Sequence, residues 1–127
     1  SRISVGSGAI EAPYMIKRGD YYYLFAAFGR MEDNYHMEVG RSASPFGPFV
    51  SRKGQAMMDG YGTPVTEGKE GISIPGHASV FLDDDGQYYL VSEYFRDGSP
   101  SLLLVGTMLW DEEGWPSTAL SPGLLKK

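Results

Sequence analysis

The chain has 127 residues and carries 16 acidic against 11 basic side chains, a formal charge of −5. An acidic chain without a cluster of Lys and Arg is a poor binder of nucleic acids and anionic membranes. The absence of cysteine excludes disulfides and thiolate metal sites, and no apolar run is long enough to span a bilayer. The first residues, SRISV, do not resemble a secretory signal peptide, so we expect any such signal to lie upstream.

Aromatic residues make up 13% of the chain, and nine of them are tyrosines. Tyrosine and phenylalanine favour strands. The 17 glycines and 8 prolines interrupt the chain too often for long helices. This composition predicts an all-β protein.

The first predicted unit begins with a hairpin at residues 12–23, where an apolar run, a turn with Gly19 and a Tyr-rich run follow one another. A third β-prone run follows at residues 35–42, and a fourth, short run is predicted at residues 49–50. These four runs predict one four-stranded antiparallel unit.

The same order of runs returns 66 residues later, from Ala12 to Ala78. The second hairpin is predicted at residues 78–89, the third run at 102–110, and the fourth after Gly114-Trp115-Pro116. The dipeptide Val39-Gly40 corresponds to Val105-Gly106 at the same spacing. An internal repeat of this kind predicts two copies of one structural unit.

Two acidic segments of the second unit are predicted to be turns. Residues 83–86 (DDDG) could suggest calcium, but they lack the alternating spacing and distal glutamate of a helical calcium loop. Residues 111–114 (DEEG) are interpreted in the same way. Trp110 and Trp115 could stack on sugar rings, but they lie toward the outer edge of the unit, so we expect them to pack in the core.

Two four-stranded units at this period predict β-propeller blades, one at residues 10–66 and one at residues 77–120. Each blade has an apolar face for each neighbour, and stable repeat proteins usually need at least three units. We therefore expect the chain to belong to a larger propeller or to pair with another chain. A two-sheet sandwich is the alternative.

Two polar side chains precede the predicted innermost strands, which line the axis of a propeller. Glu11 stands between Ile10 and Ala12-Pro13, and apolar surroundings favour the protonated carboxyl that a general acid needs. His77 follows Glu11 by 66 residues, so the repeat predicts equivalent positions for the two. The alternatives are a glutamate in a surface loop and a histidine hydrogen-bonded in a turn.

The run IEAPY at residues 10–14, followed by GDYYYLF at 19–25, resembles the segment that bears the general acid in glycoside hydrolase family 43. Further stretches match the arabinanase branch of that family in order. They are Tyr35-His36, Val39-Gly40-Arg41-Ser42, Gly47-Pro48-Phe49, Met58-Asp59-Gly60, Gly62-Thr63, Pro75-Gly76-His77, Ser79-Val80-Phe81, Leu109-Trp110-Asp111 and Gly114-Trp115-Pro116. Each motif alone is weak, but the ordered set covers nearly the whole chain and matches the last two of five blades.

The resemblance implies an inverting hydrolase of α-L-arabinofuranosyl linkages that acts within 1,5-linked arabinan, and it implies secretion. It further implies that Glu11 is the general acid. His77 matches a histidine that binds a metal ion, commonly calcium, or ordered water on the propeller axis. Two aspartates of the family, the general base and a residue that tunes the acid, belong to its N-terminal blades and have no match in this chain.

An inverting enzyme needs its acid and base roughly 6.5–9.5 Å apart. We therefore expect this chain to be inactive alone and to work with a complementary N-terminal propeller segment on arabinan or arabino-oligosaccharides. Two other functions are open from the sequence: a non-catalytic carbohydrate-binding propeller fragment, and a structural two-blade module that assembles into a larger ring.

Overall fold

A computed structural model describes residues 10–30, 33–66, 73–95 and 102–119. The strands of this part are β1 (Ile10–Arg18), β2 (Tyr21–Arg30), β3 (Asp33–Ser42), β4 (Thr63–Thr66), β5 (Ser73–Leu82), β6 (Tyr88–Phe95), β7 (Leu102–Trp110) and β8 (Pro116–Ala119). A short 3-10 helix, Met57–Asp59, lies between β3 and β4. No helix within the described ranges is long and apolar enough to cross a membrane.

The strands form two four-stranded antiparallel sheets, each in chain order. The first sheet is β1-β2-β3-β4 and the second is β5-β6-β7-β8. The prediction of an all-β chain built from two four-stranded antiparallel units is confirmed. β1 and β5 are edge strands, so each sheet begins with an edge that carries one of the two candidate site residues.

The main apolar core lies between the two sheets. Tyr23, Phe25 and Ala27 alternate along β2 on the face that meets the second sheet, and each is at most 1% exposed. Leu90 and Met108 of the second sheet belong to the same buried cluster. This spacing of two is the period at which strand side chains return to one face. The two sheets therefore pack face to face like neighbouring blades.

The turn between β7 and β8 closes this junction at one end. The Tyr23 hydroxyl donates a hydrogen bond to the carbonyl of Gly114 at 2.7 Å. The Trp110 ring packs edge-on against Tyr23, with 5.0 Å between the centroids, and Trp115 is only 3% exposed. Both tryptophans pack in the junction, which confirms the prediction that they are core residues.

The fourth strand of the first sheet is β4, so the strand predicted at residues 49–50 is wrong. Val50 forms only isolated bridges, and Phe49 and Met57 instead pack on the face of the first sheet that points away from the second. The β4 sequence, TPVT, is short and contains a proline, which is tolerated on an edge strand but weakens the sequence signal for one.

The outer face of the second sheet, defined by Phe81, Leu103, Val105 and Leu109, is apolar and open to solvent. Phe81 is 56% exposed, Leu103 65% and Leu109 54%. Contiguous apolar surfaces of this kind usually mark contact sites. The corresponding face of the first sheet is covered by the loop that carries Phe49 and Met57, so the two outer faces differ in how much they expose.

Candidate functional site

Glu11 lies near the start of β1, opposite Ala27 of β2. Its side chain is exposed, as is that of Pro13, while Ala12 is half-buried. The described residues therefore do not supply the desolvation expected from its apolar neighbours. Glu11 instead presents its carboxyl at the edge of the sheet, where an incoming molecule can reach it.

A β-bulge follows Glu11. The pairing steps from Glu11–Ala27 to Tyr14–Phe25, so two residues of β1 stand opposite one residue of β2. Ala12, within the bulge, has a φ of 53°, in the left-handed region that residues other than glycine rarely adopt. Bulges re-aim side chains and often lie next to active sites.

His77 has the same distortion in the second sheet. β5 begins at Ser73, so His77 lies inside the strand rather than before it. Its φ is 47°, again left-handed, and the pairing steps irregularly from Gly76–Glu93 to Ser79–Val91 around it. The His77 side chain is exposed. Both innermost strands thus carry a bulge beside a candidate site residue.

The strand pairing shows that Glu11 and His77 do not occupy equivalent positions, as predicted, but positions that differ by one residue. In the pairing, Glu11 corresponds to Gly76, and His77 corresponds to Ala12. The cause lies in the turns: four residues separate the paired Lys17 and Tyr22, whereas five separate Leu82 and Tyr88. The turn of the second hairpin therefore contains one residue more than the turn of the first, and the 66-residue spacing does not hold for β1 and β5.

The turn with the extra residue is the acidic segment 83–87. The amide of Asp83 donates to the carbonyl of Gln87 at 2.9 Å, and the amide of Gly86 donates to the carbonyl of Asp83 at 2.9 Å. Gly86 has a φ of 86°, which glycine adopts without strain. The prediction of a hairpin turn here is confirmed.

A hydrogen bond joins the two innermost strands. The Tyr14 hydroxyl donates to the backbone carbonyl of Val80 on β5 at 3.0 Å. Tyr14 follows Glu11 by three residues, and Val80 follows His77 by three. This hydrogen bond therefore joins the two strands at a point three residues after each candidate site residue.

An open cleft of about 410 Å³ lies on the second sheet beside His77. Its lining includes His77 and Ser79 of β5, Glu93 of β6 and Leu103 of β7. Glu93 is half-buried, and Leu103 belongs to the apolar outer face. The cleft thus offers an imidazole, a hydroxyl and a carboxylate beside an apolar wall.

The described residues contain no group of three or more His, Cys, Asp or Glu side chains that could hold a metal ion. Hard cations such as calcium take six to eight oxygen ligands in all, many of which can be water. One imidazole and one carboxylate in a 410 Å³ open cleft leave room for water. The donor set fits a largely hydrated cation and does not fit a dehydrated metal enclosed by protein ligands.

Tyr14, Ser79 and Glu93 were not predicted as site residues. Tyr14 and Ser79 stand in the motifs that flank Glu11 and His77, and this proximity was the available signal. Glu93 is 16 residues from His77 in sequence and reaches the cleft only through the pairing of β5 with β6. The hairpin predicted at residues 78–89 ends before Glu93, so the prediction did not place this residue beside His77.

Comparison with known proteins gives one consistent relationship. The family model described as Glycosyl hydrolases family 43 matches residues 3–116. The extracellular exo-α-(1→5)-L-arabinofuranosidase of Cellvibrio japonicus is 36% identical over 116 residues, which are 87% of this chain and 33% of that protein. The arabinan endo-1,5-α-L-arabinosidase A of Aspergillus niger is 40% identical over 88 residues, 61% of this chain and 27% of that protein. The chain thus spans about a third of these relatives.

Solved structures agree with these relatives. The α-L-arabinanase of Cellvibrio cellulosa complexed with arabinohexaose superposes with a TM-score of 0.80 at 38% identity, over 87% of this chain and 36% of that one. The family 43 endo-arabinanase of Bacillus licheniformis gives a TM-score of 0.80 at 32% identity, over 91% of this chain and 42% of that one. The prediction that the two sheets are blades of a five-bladed β-propeller is confirmed.

Proposed function

The chain belongs to glycoside hydrolase family 43, and on this premise we propose that it forms part of an enzyme that cleaves α-1,5-linked L-arabinofuranosyl bonds in arabinan, with Glu11 as the general acid. The names of its relatives support this substrate, since they include arabinofuranosidases and arabinanases. A similar arabinanase has been solved with arabinohexaose. The oligosaccharide class therefore follows from proteins that share the fold at 38% identity.

One observation carries the assignment of Glu11: its exposed carboxyl stands beside the bulge of an edge strand that is tied to the strand of His77. In the proposed reaction Glu11 gives its proton to the glycosidic oxygen while the bond from that oxygen to the anomeric carbon breaks.

The reaction also needs a base. In an inverting mechanism, a second carboxylate takes a proton from a water molecule, and the water oxygen bonds to the anomeric carbon from the opposite face of the sugar. The two carboxyl groups then stand roughly 6.5–9.5 Å apart. We assign the base, and the aspartate that tunes the acid, to a complementary N-terminal segment of the propeller.

The outer face of the second sheet is the surface on which we place that segment. Leu103 and Leu109 are more than half exposed there, and covering such side chains contributes roughly 1.5–3 kcal/mol each. We choose a further segment of the propeller for this surface because the chain spans only about a third of the length of its family relatives. An adjoining blade would close the ring over this face.

We also propose that His77 takes part in a hydrated cation site, with calcium as the ion. The exposed imidazole and the half-buried Glu93 line the same cleft, and water would complete the shell that a hard cation prefers. His77 and Glu93 would hold such a cation through its water shell, and the cation would supply fixed positive charge there.

Two relatives are named as extracellular proteins. We propose an extracellular location for the complete protein.

The test is hydrolysis of linear 1,5-α-arabinan by the complete protein. Glu11→Gln keeps the shape of the side chain and removes its acidic proton, so kcat should fall by about 10²–10⁴-fold. Glu112→Gln, at an exposed position in the β7–β8 turn, is the matched control and should keep wild-type activity. Wild-type hydrolysis by the Glu11 variant would show that the acid is misassigned. Arabinan binding without any hydrolysis by the unaltered protein would favour a carbohydrate-binding propeller instead.

A further inference from the structure

We propose that Tyr14 is a positioning residue of the active site: its hydroxyl fixes the strand that carries Glu11 against the strand that carries His77. This inference rests on the proposed role of Glu11. Tyr14 does not exchange a proton with substrate. It acts through Glu11, by holding the acid at a set distance from the opposite strand.

The contact itself is specific. Tyr14 is 36% exposed, and its hydroxyl spans the gap between sheets to donate to the Val80 carbonyl at 3.0 Å. β5 has a paired neighbour only on its β6 side, so the opposite edge carries backbone groups that need other partners. The Tyr14 hydroxyl satisfies one of them, and that ties the inner edges of the two sheets together.

The bulges explain why such a tie is needed. Ala12 lies between Glu11 and Tyr14 and has a φ of 53°, and His77 has a φ of 47°. Any residue other than glycine is strained in this left-handed region. The conformation therefore persists only where surrounding contacts hold it. The register change at each bulge also removes ladder pairing next to the site. The first regular pair after the bulge in β1 is Tyr14–Phe25.

Tyr14 is therefore held on both sides. Phe25 pairs with it within the sheet, and Val80 accepts its hydroxyl across the junction. Two residues separate this anchor from Glu11, so a tilt of β1 at Tyr14 displaces the carboxyl directly. Catalysis is sensitive to such displacement, because a shift of about 1 Å can cost about 100-fold in rate.

The same junction contains a matched hydrogen bond far from the site. The Tyr23 hydroxyl donates to the carbonyl of Gly114 at 2.7 Å, at the end of the junction formed by the β7–β8 turn. Tyr14→Phe and Tyr23→Phe each delete one hydroxyl that crosses between the sheets to a backbone carbonyl. The two variants therefore separate a general weakening of the junction from a local effect on Glu11.

The experiment compares Tyr14→Phe, Tyr23→Phe and Glu11→Gln in the complete protein on arabino-oligosaccharides and on an aryl arabinoside with a good leaving group. Tyr14→Phe should lower kcat on the oligosaccharide by about 10- to 100-fold with KM within about twofold, and the loss should shrink on the aryl substrate. Tyr23→Phe should lower the melting temperature and leave kcat unchanged.

Equal kcat values for the two tyrosine variants, or a rise in KM without a fall in kcat for Tyr14→Phe, would overturn the positioning role. The Glu11→Gln variant reports separately on the proposed function. If it retains wild-type activity, the acid is misassigned. If it loses activity while Tyr14→Phe matches Tyr23→Phe, the acid stands and only the role of Tyr14 fails.

Discussion

The guanidinium of Arg41 stacks on the ring of Trp115, with 4.4 Å between its central carbon and the ring centroid. Arg41 lies on β3 of the first sheet, and Trp115 precedes β8 of the second. Nη1 of Arg41 also donates to the carbonyl of Glu113 at 2.6 Å, and Arg52 approaches the same ring at 5.8 Å. Arg41 of the first sheet and Arg52 of the loop that follows β3 thus hold the β7–β8 turn of the second sheet, which fixes the junction at the end opposite the bulges.

Asp111 makes this junction dependent on pH. Its carboxylate accepts the amide of Trp115 at 2.9 Å and also pairs with Arg52. The hydrogen bond from Trp115 and then the contact with Arg52 hold the pKa of Asp111 below its ordinary value of 3.8, and partial desolvation opposes them. A carboxyl with a lowered folded-state pKa stabilises the fold above its unfolded pKa, and this contribution is lost as the pH falls through the folded-state pKa.

We therefore expect Asp111→Asn to lower the melting temperature near neutral pH. The difference from wild type should narrow as the pH falls below the ordinary pKa of 3.8 and through the lowered folded-state pKa, where the wild-type carboxylate becomes protonated. Thermal unfolding of the complete protein between about pH 3 and pH 7 measures this. Glu112→Gln in the same turn is the control, and a difference that stays constant across the range would contradict the assignment.

The fold shows where sequence reasoning succeeds. Alternation in the Tyr-rich runs and glycine turns predicted both hairpins, because side-chain period and turn chemistry are local properties. β4 was missed because its sequence, TPVT, is short and contains a proline, so its local signal for a strand is weak.

The site was predicted less completely for a related reason. Glu11 and His77 stand in recognisable motifs, but the left-handed conformations of Ala12 and His77 occur at residues that are not glycine, so composition gives no hint of them. The extra turn residue near Gly86 hid the one-residue offset between the sheets. Glu93 joins the cleft because the pairing of β5 with β6 extends beyond the predicted hairpin.

The outer face of the second sheet should behave as a blade junction. Leu103 is 65% exposed in this chain, and covering it would contribute roughly 1.5–3 kcal/mol. Leu103→Asp should therefore destabilise the complete protein by at least about that amount in urea unfolding. Phe46→Asp, at a 70% exposed position in the loop after β3, is the control with a small expected effect. Equal stability of the two variants would argue that no blade covers this face.

The proposed cation site gives a prediction for the two histidines of the chain. His77→Ala in the complete protein should weaken calcium binding by about 10- to 100-fold or more, because changes even in the outer shell of a metal site have effects of that size. His36→Ala is the control, since His36 pairs with Glu38 at 3.0 Å on β3 and lines no part of the cleft. Equilibrium dialysis followed by metal analysis is the measurement. An unchanged calcium content in the His77 variant would remove this residue from the site.

The most direct test of the central claim, that Glu11 is the general acid, is the leaving-group dependence of Glu11→Gln in the complete protein. A poor leaving group needs a proton from the acid, whereas a good aryl leaving group departs with little protonation. The loss in kcat/KM should therefore be about 10²–10⁴-fold on an arabino-oligosaccharide and much smaller on an aryl arabinoside. Equal losses on the two substrates would contradict the account and assign Glu11 a role in binding or structure.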